Sequence, residues 1–459
     1  MRHKSGKTLL CVVVLALCAG ITAALLSGAN PVARDPAGQP VASAAWVPVR
    51  PPLLTALGAD APLPTAAGLQ VALAASLRDG RLGGAPAFSV LDVLTGQVLL
   101  SGRLGVAVVP ASTAKIATAI AVLLATTPGQ RLRTAVLAGP NPGDVVLVGG
   151  GDPTLAGPAA GPVAFGPARL VDLAAQVRAA LGTVPARRVL VDDRLFTGAP
   201  TGDGWKPGYV SSGNVAPVMA LSVDGGRLRP DQQGRVADPA LAAGRALAGL
   251  LGGTGAELPV GRGAAAPGAA TLGAVLSPPV PVLVEQMLER SDNDLAEALT
   301  RQVALARGLP ASFAGGAQAV AAVLAEFAGP ATAAGIVLQD GSGLSRSDRV
   351  QPTALAALLG RAALDARLRS LLTGLPVAGF DGTLTGRFQA ARATAAAGEV
   401  RAKTGTLDGV SALAGLVRTD SGRLLAFDVT AEGAFSGGTV GAEAALDEVA
   451  AVLASCGCR

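Results

Sequence analysis

Between residues 131 and 236 the chain changes texture, and that break governs what it can fold into. Inside it run short strand-like pieces punctuated by Gly and Pro: LRTAVLAG, DVVLVGGGDPTL, ARRVLVDDRLF, GWKPGYVSSGN and MALSVDGGRL. Before it, AFSVLDVLTGQVLLSGR (87–103) is two apolar stretches around a turn, and VVPASTAKIATAIAVLL (108–124) is an extended run, a proline and an Ala-rich helix. After it come helices at 238–251, 280–307 and 352–364, the second broken near 291 by Ser-Asp-Asn. The C-terminal part reads as strands VRAKTGTL, VSALAGLVR and LLAFDVTAEG, then a helix, GAEAALDEVAAVLA. Helices in the middle and antiparallel strands at the two ends predict an α+β domain, residues 67–130 and 237–459. A mostly β inserted domain, 131–236, interrupts it.

The first 26 residues are a basic stretch, MRHKSGK, followed by the apolar run TLLCVVVLALCAGITAALL. Small residues follow at 27–29, so residues 1–29 read as a signal peptide or an N-terminal membrane anchor. The Pro/Ala-rich stretch 30–66 reads as a linker. The bulk of the chain is therefore expected outside the cytoplasm, where Cys456 and Cys458 could pair across Cys-Gly-Cys, although the expectation is a frayed tail. Losing Arg2, Lys4 and Lys7 with the leader takes the formal charge from +5 to +2, and no basic stripe follows. Nucleic acid is not indicated.

Histidine occurs once, as His3 in the leader. A Ser-His-Asp triad and a His-ligated zinc site are both excluded. The lysines are Lys4, Lys7, Lys115, Lys206 and Lys403; every other cation among the 37 Lys and Arg residues is arginine. Arg stays protonated, whereas a buried Lys sheds its proton, so a retained Lys suggests a tunable ammonium. With the only histidine in the leader, Lys is the remaining well-precedented partner for a serine nucleophile.

Ser112 and Lys115 form Ser-x-x-Lys at a helix start, which puts both side chains on one face, one turn apart. The serine lies among unpaired backbone N–H groups at the positive end of the helix dipole, where a developing oxyanion is stabilised. Lys403-Thr404-Gly405-Thr406 sits in a strand, and Gly405 clears room for a ligand backbone. One of the two threonines is expected to face the site more directly. Ser-x-Asn occurs twice. Ser212-Gly213-Asn214 lies in a Gly-rich stretch, where both residues are ordinary turn formers. Ser291-Asp292-Asn293 breaks a helix and is preferred.

Together these motifs resemble the penicillin-recognising serine enzymes, and most closely the class C low-molecular-mass penicillin-binding proteins, the D-alanyl-D-alanine carboxypeptidase/endopeptidase family. The likeness extends to DPTL (152–155), GWKPGYV (204–210), VDGG (223–226), DGSGLSRSDRV (340–350) and GTLTGRF (382–388). It implies a β-lactamase/transpeptidase-like domain with a long insert between Ser-x-x-Lys and Ser-x-Asn. Ser112 and Ser291 are 179 residues apart, which suggests a single insert.

The resemblance implies that Ser112 attacks the penultimate D-Ala carbonyl, with Lys115 as base, its pKa depressed by burial and by the charge of Lys403. Ser291 would pass a proton to the leaving amine, and Asn293 would hold Lys115 and the substrate amide. Lys403, Thr404 and Thr406 would receive the terminal carboxylate, with the backbone N–H groups of Ser112 and Thr406 as oxyanion hole. Peptidoglycan stem peptides would be substrates and β-lactam antibiotics acylating inhibitors, with no metal or organic cofactor called for. Lys206 and Tyr209 lie on a segment returning from the insert and read as an exposed lysine and a packed tyrosine. Asp152 and Asp340 read as turn residues.

Two alternatives are weighed. A serine β-lactamase of class A needs a Glu-activated water and a nearby Asn; Glu326 alone could serve, since Glu399 lies too close to the Lys403 strand, and no Asn follows either. The type built on Tyr-x-Asn needs a tyrosine that the chain spends in GYVSS. A catalytically inactive cell-wall-binding relative is at odds with three intact motifs.

Overall fold

The computed structural model describes residues 60–159, 166–229, 232–252 and 258–458. The leader expected at 1–29 and nearly all of the linker at 30–66 lie outside the described residues. Among the described residues no helix is long and apolar enough to cross a membrane.

In chain order, helix α1 (Ala66–Leu73) is followed by strands β1 (Ala87–Asp92) and β2 (Val98–Gly102), then α2 (Ala114–Ala125). Strands β3 (Arg131–Ala138) and β4 (Asp144–Val148), α3 (Leu170–Leu181), β5 (Arg188–Asp192), α4 (Pro239–Leu251), β6 (Val260–Arg262) and β7 (Thr271–Pro279) come next. Helices α5 (Val280–Glu289), α6 (Asn293–Ala306) and α7 (Phe313–Ala328) precede two short strands, β8 (Ile336–Val337) and β9 (Arg349–Val350), and α8 (Pro352–Ala363). Strands β10 (Val400–Leu407), β11 (Val410–Arg418) and β12 (Leu424–Glu432) and helix α9 (Gly438–Ala454) complete the chain.

The two ends of the sequence build one antiparallel sheet, in the order β10-β11-β12-β1-β2. Its three inner strands, β11, β12 and β1, are buried on both faces, so they read as nearly continuous apolar runs. Leu413, Val417, Phe427 and Val429 pack against α1 and α9, while Ala414, Leu416 and Ala426 face α2 and α5–α8 on the other side. The α2 helix lies at the centre of that second layer, with the nine residues Ala114–Val122 all buried. An Ala-rich helix suits the place, since small side chains let neighbouring helices approach on every side.

The second sheet has the order β6-β5-β4-β3-β7, with β4, β5 and β6 parallel and β3 antiparallel to both neighbours. Parallel neighbours require crossovers, and α3 and α4 supply them. Leu170, Leu173, Val177, Ala243 and Leu247 pack onto Val145, Leu147, Val189 and Val191. Because β6 and β7 belong to this sheet, it runs to Pro279, past the boundary expected at 236. The Ala-rich α4 matched the texture of the flanking domain, and β6 has only three residues, too few for a readable period.

The C-terminal tail is docked. Cys456 and Cys458 are disulfide-bonded, Cys456 is buried, and the Cys458 carbonyl accepts from Thr65 N–H at 2.8 Å. The frayed tail expected from sequence is thus corrected by contacts with the start of the domain.

Candidate active site

Ser112 stands in a one-turn 3-10 segment, Ala111–Thr113, that leads into α2. Ala111 has φ 48°, in the left-handed region that a side chain resists. Two glycines hold this turn. A Cβ on Gly343 would lie 1.8 Å from the Ala111 carbonyl oxygen, and one on Gly405 would lie 2.7 Å from that of Pro110. The segment 340–348 and strand β10 therefore clamp the turn from two directions.

Lys115, one residue-triplet on, is fully buried. Its Nζ lies 3.0 Å from Ser112 Oγ, and donates to Asn293 Oδ1 at 2.6 Å and to the Ser342 carbonyl at 2.7 Å. Two carbonyl acceptors engage two of its N–H bonds and leave the third tetrahedral direction aimed at Ser112. In the neutral amine that direction is the lone pair. Burial pushes the Lys115 pKa down to about 8, opposed by the carboxylates of Asp340, Glu297, Asp292 and Asp294. The second cause expected from sequence, the charge of Lys403, gives way to those carboxylates, and the lysine–lysine repulsion registers on Lys403.

Ser291-Asp292-Asn293 is the break between α5 and α6. Ser291 has φ 56°, Asp292 caps α6 by accepting from Leu295 N–H at 2.9 Å, and Asn293 begins the helix. Asn293 also donates from Nδ2 to the Asn214 carbonyl at 2.8 Å. The preferred motif thus meets Lys115, and the rival one supplies a backbone acceptor that fixes the Asn293 amide. Ser212 is a turn residue, donating to the Gly208 carbonyl and accepting from Asn214 Nδ2, both at 2.7 Å. Ser291 is half-buried, and its hydroxyl has no hydrogen bond among the described residues.

Lys403 is also fully buried, and among the described residues it donates only within its own strand, to the Thr404 carbonyl at 2.9 Å and Thr404 Oγ1 at 3.4 Å. Burial, then the charge of Lys115, holds it well below the usual lysine range. Thr404 donates to Thr383 Oγ1 at 2.9 Å, and Thr406 to Glu443 Oε1 at 3.1 Å. Residues two apart on a strand share a face, and neighbours take up both hydroxyls, so neither threonine side chain is singled out.

Several residues here escaped the sequence reading. Ser342 contributes through its carbonyl, which no side-chain motif announces. Asp340, read as a turn former, accepts from Gly343 N–H, Ser345 N–H and Trp205 Nε1, each at 2.7 Å. Behind it, burial and the Asp340 charge push Asp348 up to about 10. Thr383 belongs to GTLTGRF, a segment noted for likeness without a role. The segment returning from the second sheet reaches the site's rim, where Lys206 pairs with Asp408 in the β10–β11 turn. Arg346 Nη1 donates to the Asp408 carbonyl at 3.0 Å. Tyr209 is buried, its hydroxyl without a partner among the described residues. Asp152 forms a turn with Thr154 N–H at 2.9 Å and Oγ1 at 2.6 Å; burial pushes it up to about 6. Glu326 is exposed on α7 and paired with Arg307.

A serine whose hydroxyl meets a buried lysine of lowered pKa, at a helix start beside a sheet edge, is the arrangement that Ser-Lys acyl transfer requires. The chain belongs to the D-Ala-D-Ala carboxypeptidase 3 (S13) family, whose model matches residues 69–234 and 230–453. It is 39% identical over 427 residues to carboxypeptidase DacB of Mycolicibacterium smegmatis, covering 90% of each chain. It is 40% identical over 425 residues to carboxypeptidase Rv3627c of Mycobacterium tuberculosis, again covering 90% of each. Among solved structures, penicillin binding protein 4 from Haemophilus influenzae shares the fold, with TM-score 0.66 and 21% identity over 84% of this chain and 98% of that one.

Proposed function

We propose that this serine D,D-peptidase cleaves stem peptides of peptidoglycan ending in D-Ala-D-Ala, or their cross-links, through an acyl-enzyme on Ser112. The observation that carries the reading is the aim of Lys115 Nζ at Ser112 Oγ, set by Asn293 and the Ser342 carbonyl. Ser112 Oγ attacks the penultimate D-Ala carbonyl carbon as its proton passes to Lys115 Nζ. The backbone N–H groups of Ser112 and Thr406 hold the oxyanion. Collapse breaks the C–N bond, Ser291 hands the proton to the departing amine, and water then hydrolyses the ester. Asn293 Nδ2 has one hydrogen left for the substrate amide, and Lys403 meets the terminal carboxylate. Thr404 and Thr406 border that carboxylate site.

A β-lactam acylates the same serine, but its leaving amine stays tethered by the ring, so the ester outlives the substrate's. Peptidoglycan lies outside the cytoplasmic membrane, and the basic-then-apolar leader agrees with export. Incubation with a peptide ending in D-Ala-D-Ala tests the reading. Release of D-Ala, lost in Ser112→Ala, is expected; equal release by the variant contradicts it.

A further inference from the structure

Residues 293, 297 and 301 are spaced by four along α6 and so form one stripe on the helix. Its first member, Asn293, touches Lys115 directly. The second, Glu297, is fully buried, and its Oε1 accepts from Gly341 N–H at 3.1 Å and Ser342 N–H at 2.9 Å. The carbonyl of that same Ser342 accepts from Lys115 Nζ at 2.7 Å. Glu297 therefore grips the peptide 341–342 from its N–H side while Lys115 uses a carbonyl of the same segment. The approach is close: a Cβ on Gly341 would lie 1.9 Å from Thr300 Oγ1, and the Gly341 carbonyl is held by Thr118 Oγ1 at 2.8 Å. The third member, Arg301, is buried too. It pairs with Glu297 Oε2 at 3.3 Å, and its guanidinium lies 4.1 Å from the centre of the Phe313 ring and 5.6 Å from that of Phe196, which follows β5 of the second sheet.

We infer that Glu297 is a positioning residue for the acyl-transfer step, aligning Lys115 with Ser112 by fixing the Ser342 carbonyl and biasing Lys115 by its charge. The inference rests on the Ser112–Lys115 reading above. The stripe also ties the second sheet to the reaction centre, since Phe196 packs on the arginine that holds Glu297.

Burial and the Asp340 charge push Glu297 itself up to about 7, so its carboxylate is charged mainly above that pH, and there it raises the proton affinity of Lys115, as do Asp340, Asp292 and Asp294. Lys403 faces the same space from β10, and Asp348 stands behind Asp340. Replacing Glu297 by a neutral amide removes one of the supports of the ammonium. Lys115 then deprotonates at lower pH, so the acidic limb of the rate profile moves to lower pH.

The test measures the rate of Ser112 acylation by a fluorescent penicillin from pH 5 to 9, per serine labelled at saturation. In Glu297→Gln the acidic limb shifts to lower pH, and the plateau rate falls about tenfold or more, since small misplacements of a catalytic group cost up to a hundredfold. In Glu297→Asp the carboxylate is one methylene shorter and reaches the two N–H groups poorly, so the rate falls while the limb stays near that of the unmodified enzyme. A folded Glu297→Gln with an unmoved limb overturns the inference, whatever its rate. If that variant does not fold, an unimpaired rate in Glu297→Asp overturns it. Absence of label on the unmodified protein would instead remove the Ser112 reading itself.

Discussion

Helix α2 and strand β10, which wall the site on its two sides, each bury a lysine, and they treat it differently. On the helical wall, Lys115 is met by three oxygens and surrounded by the carboxylates of Asp340, Glu297, Asp292 and Asp294. On the strand wall, Lys403 is equally buried but among the described residues bonds only to Thr404, next to it in the chain, and has Lys115 as its leading electrostatic neighbour. Desolvation lowers the proton affinity of both. The carboxylates offset it for Lys115 and leave it near 8, within reach of a general base at neutral pH. Lys403 lacks that offset. On the proposed reading, the substrate's carboxylate supplies it, so the helical wall is complete before substrate arrives and the strand wall is completed by it.

The largest effect that would break this contrast is Lys115→Arg. Arginine keeps the charge but cannot give up its proton, so Ser112 acylation by a labelled penicillin should fall about a thousandfold in stopped-flow or gel assays. Near-normal labelling would take the base role from Lys115.

Lys403→Ala should act through the substrate's carboxylate. A loss of about a hundredfold in kcat/KM is expected on peptides with a free C-terminal carboxylate, and a much smaller one on the corresponding C-terminal amides. Equal losses on both would mean that Lys403 serves the fold. Because Lys403 is held well below its usual range, binding a carboxylate ligand should also draw in a proton, measurable by calorimetry in buffers of different ionisation enthalpy.

The pH profile sharpens the helical side. Lys115 must be neutral to accept the Ser112 proton, so the acylation rate should rise with pH and level off above about 8. A profile flat from 6 to 9 would contradict the base assignment. The smallest effect is expected at the rim: Lys206→Ala breaks an exposed pair with Asp408, and acylation by penicillin should change by less than about twofold.

Much of the strand wall was legible in the sequence. The Lys-Thr-Gly-Thr segment was readable as a strand, although on its own it fitted a solvated strand end and a Gly turn equally well, and the helix break at 291–293 announced itself through three residues that helices avoid. The helical wall was legible only at its ends. Ser112, Lys115 and Asn293 stand in motifs, but the third partner of Lys115 is a backbone carbonyl, which any residue could supply. Glu297 and Arg301, four apart on a helix, read like a solvated surface pair, and only packing reveals them as fully buried. The extent of the second sheet was hidden for a similar reason, since a three-residue strand gains its identity from its neighbour β5 and from little in itself. The threonines of β10 show the opposite limit: their types were conspicuous, yet Thr383 and Glu443 decide where the hydroxyls go.

The central claim is that Ser112 is the nucleophile, activated by Lys115. Peptide mapping by mass spectrometry after brief exposure of the folded protein to penicillin tests it most directly. A single ring-opened adduct on the peptide containing Ser112 is predicted, absent after prior denaturation. Folded protein carrying no adduct, or carrying it on another residue, would contradict the account.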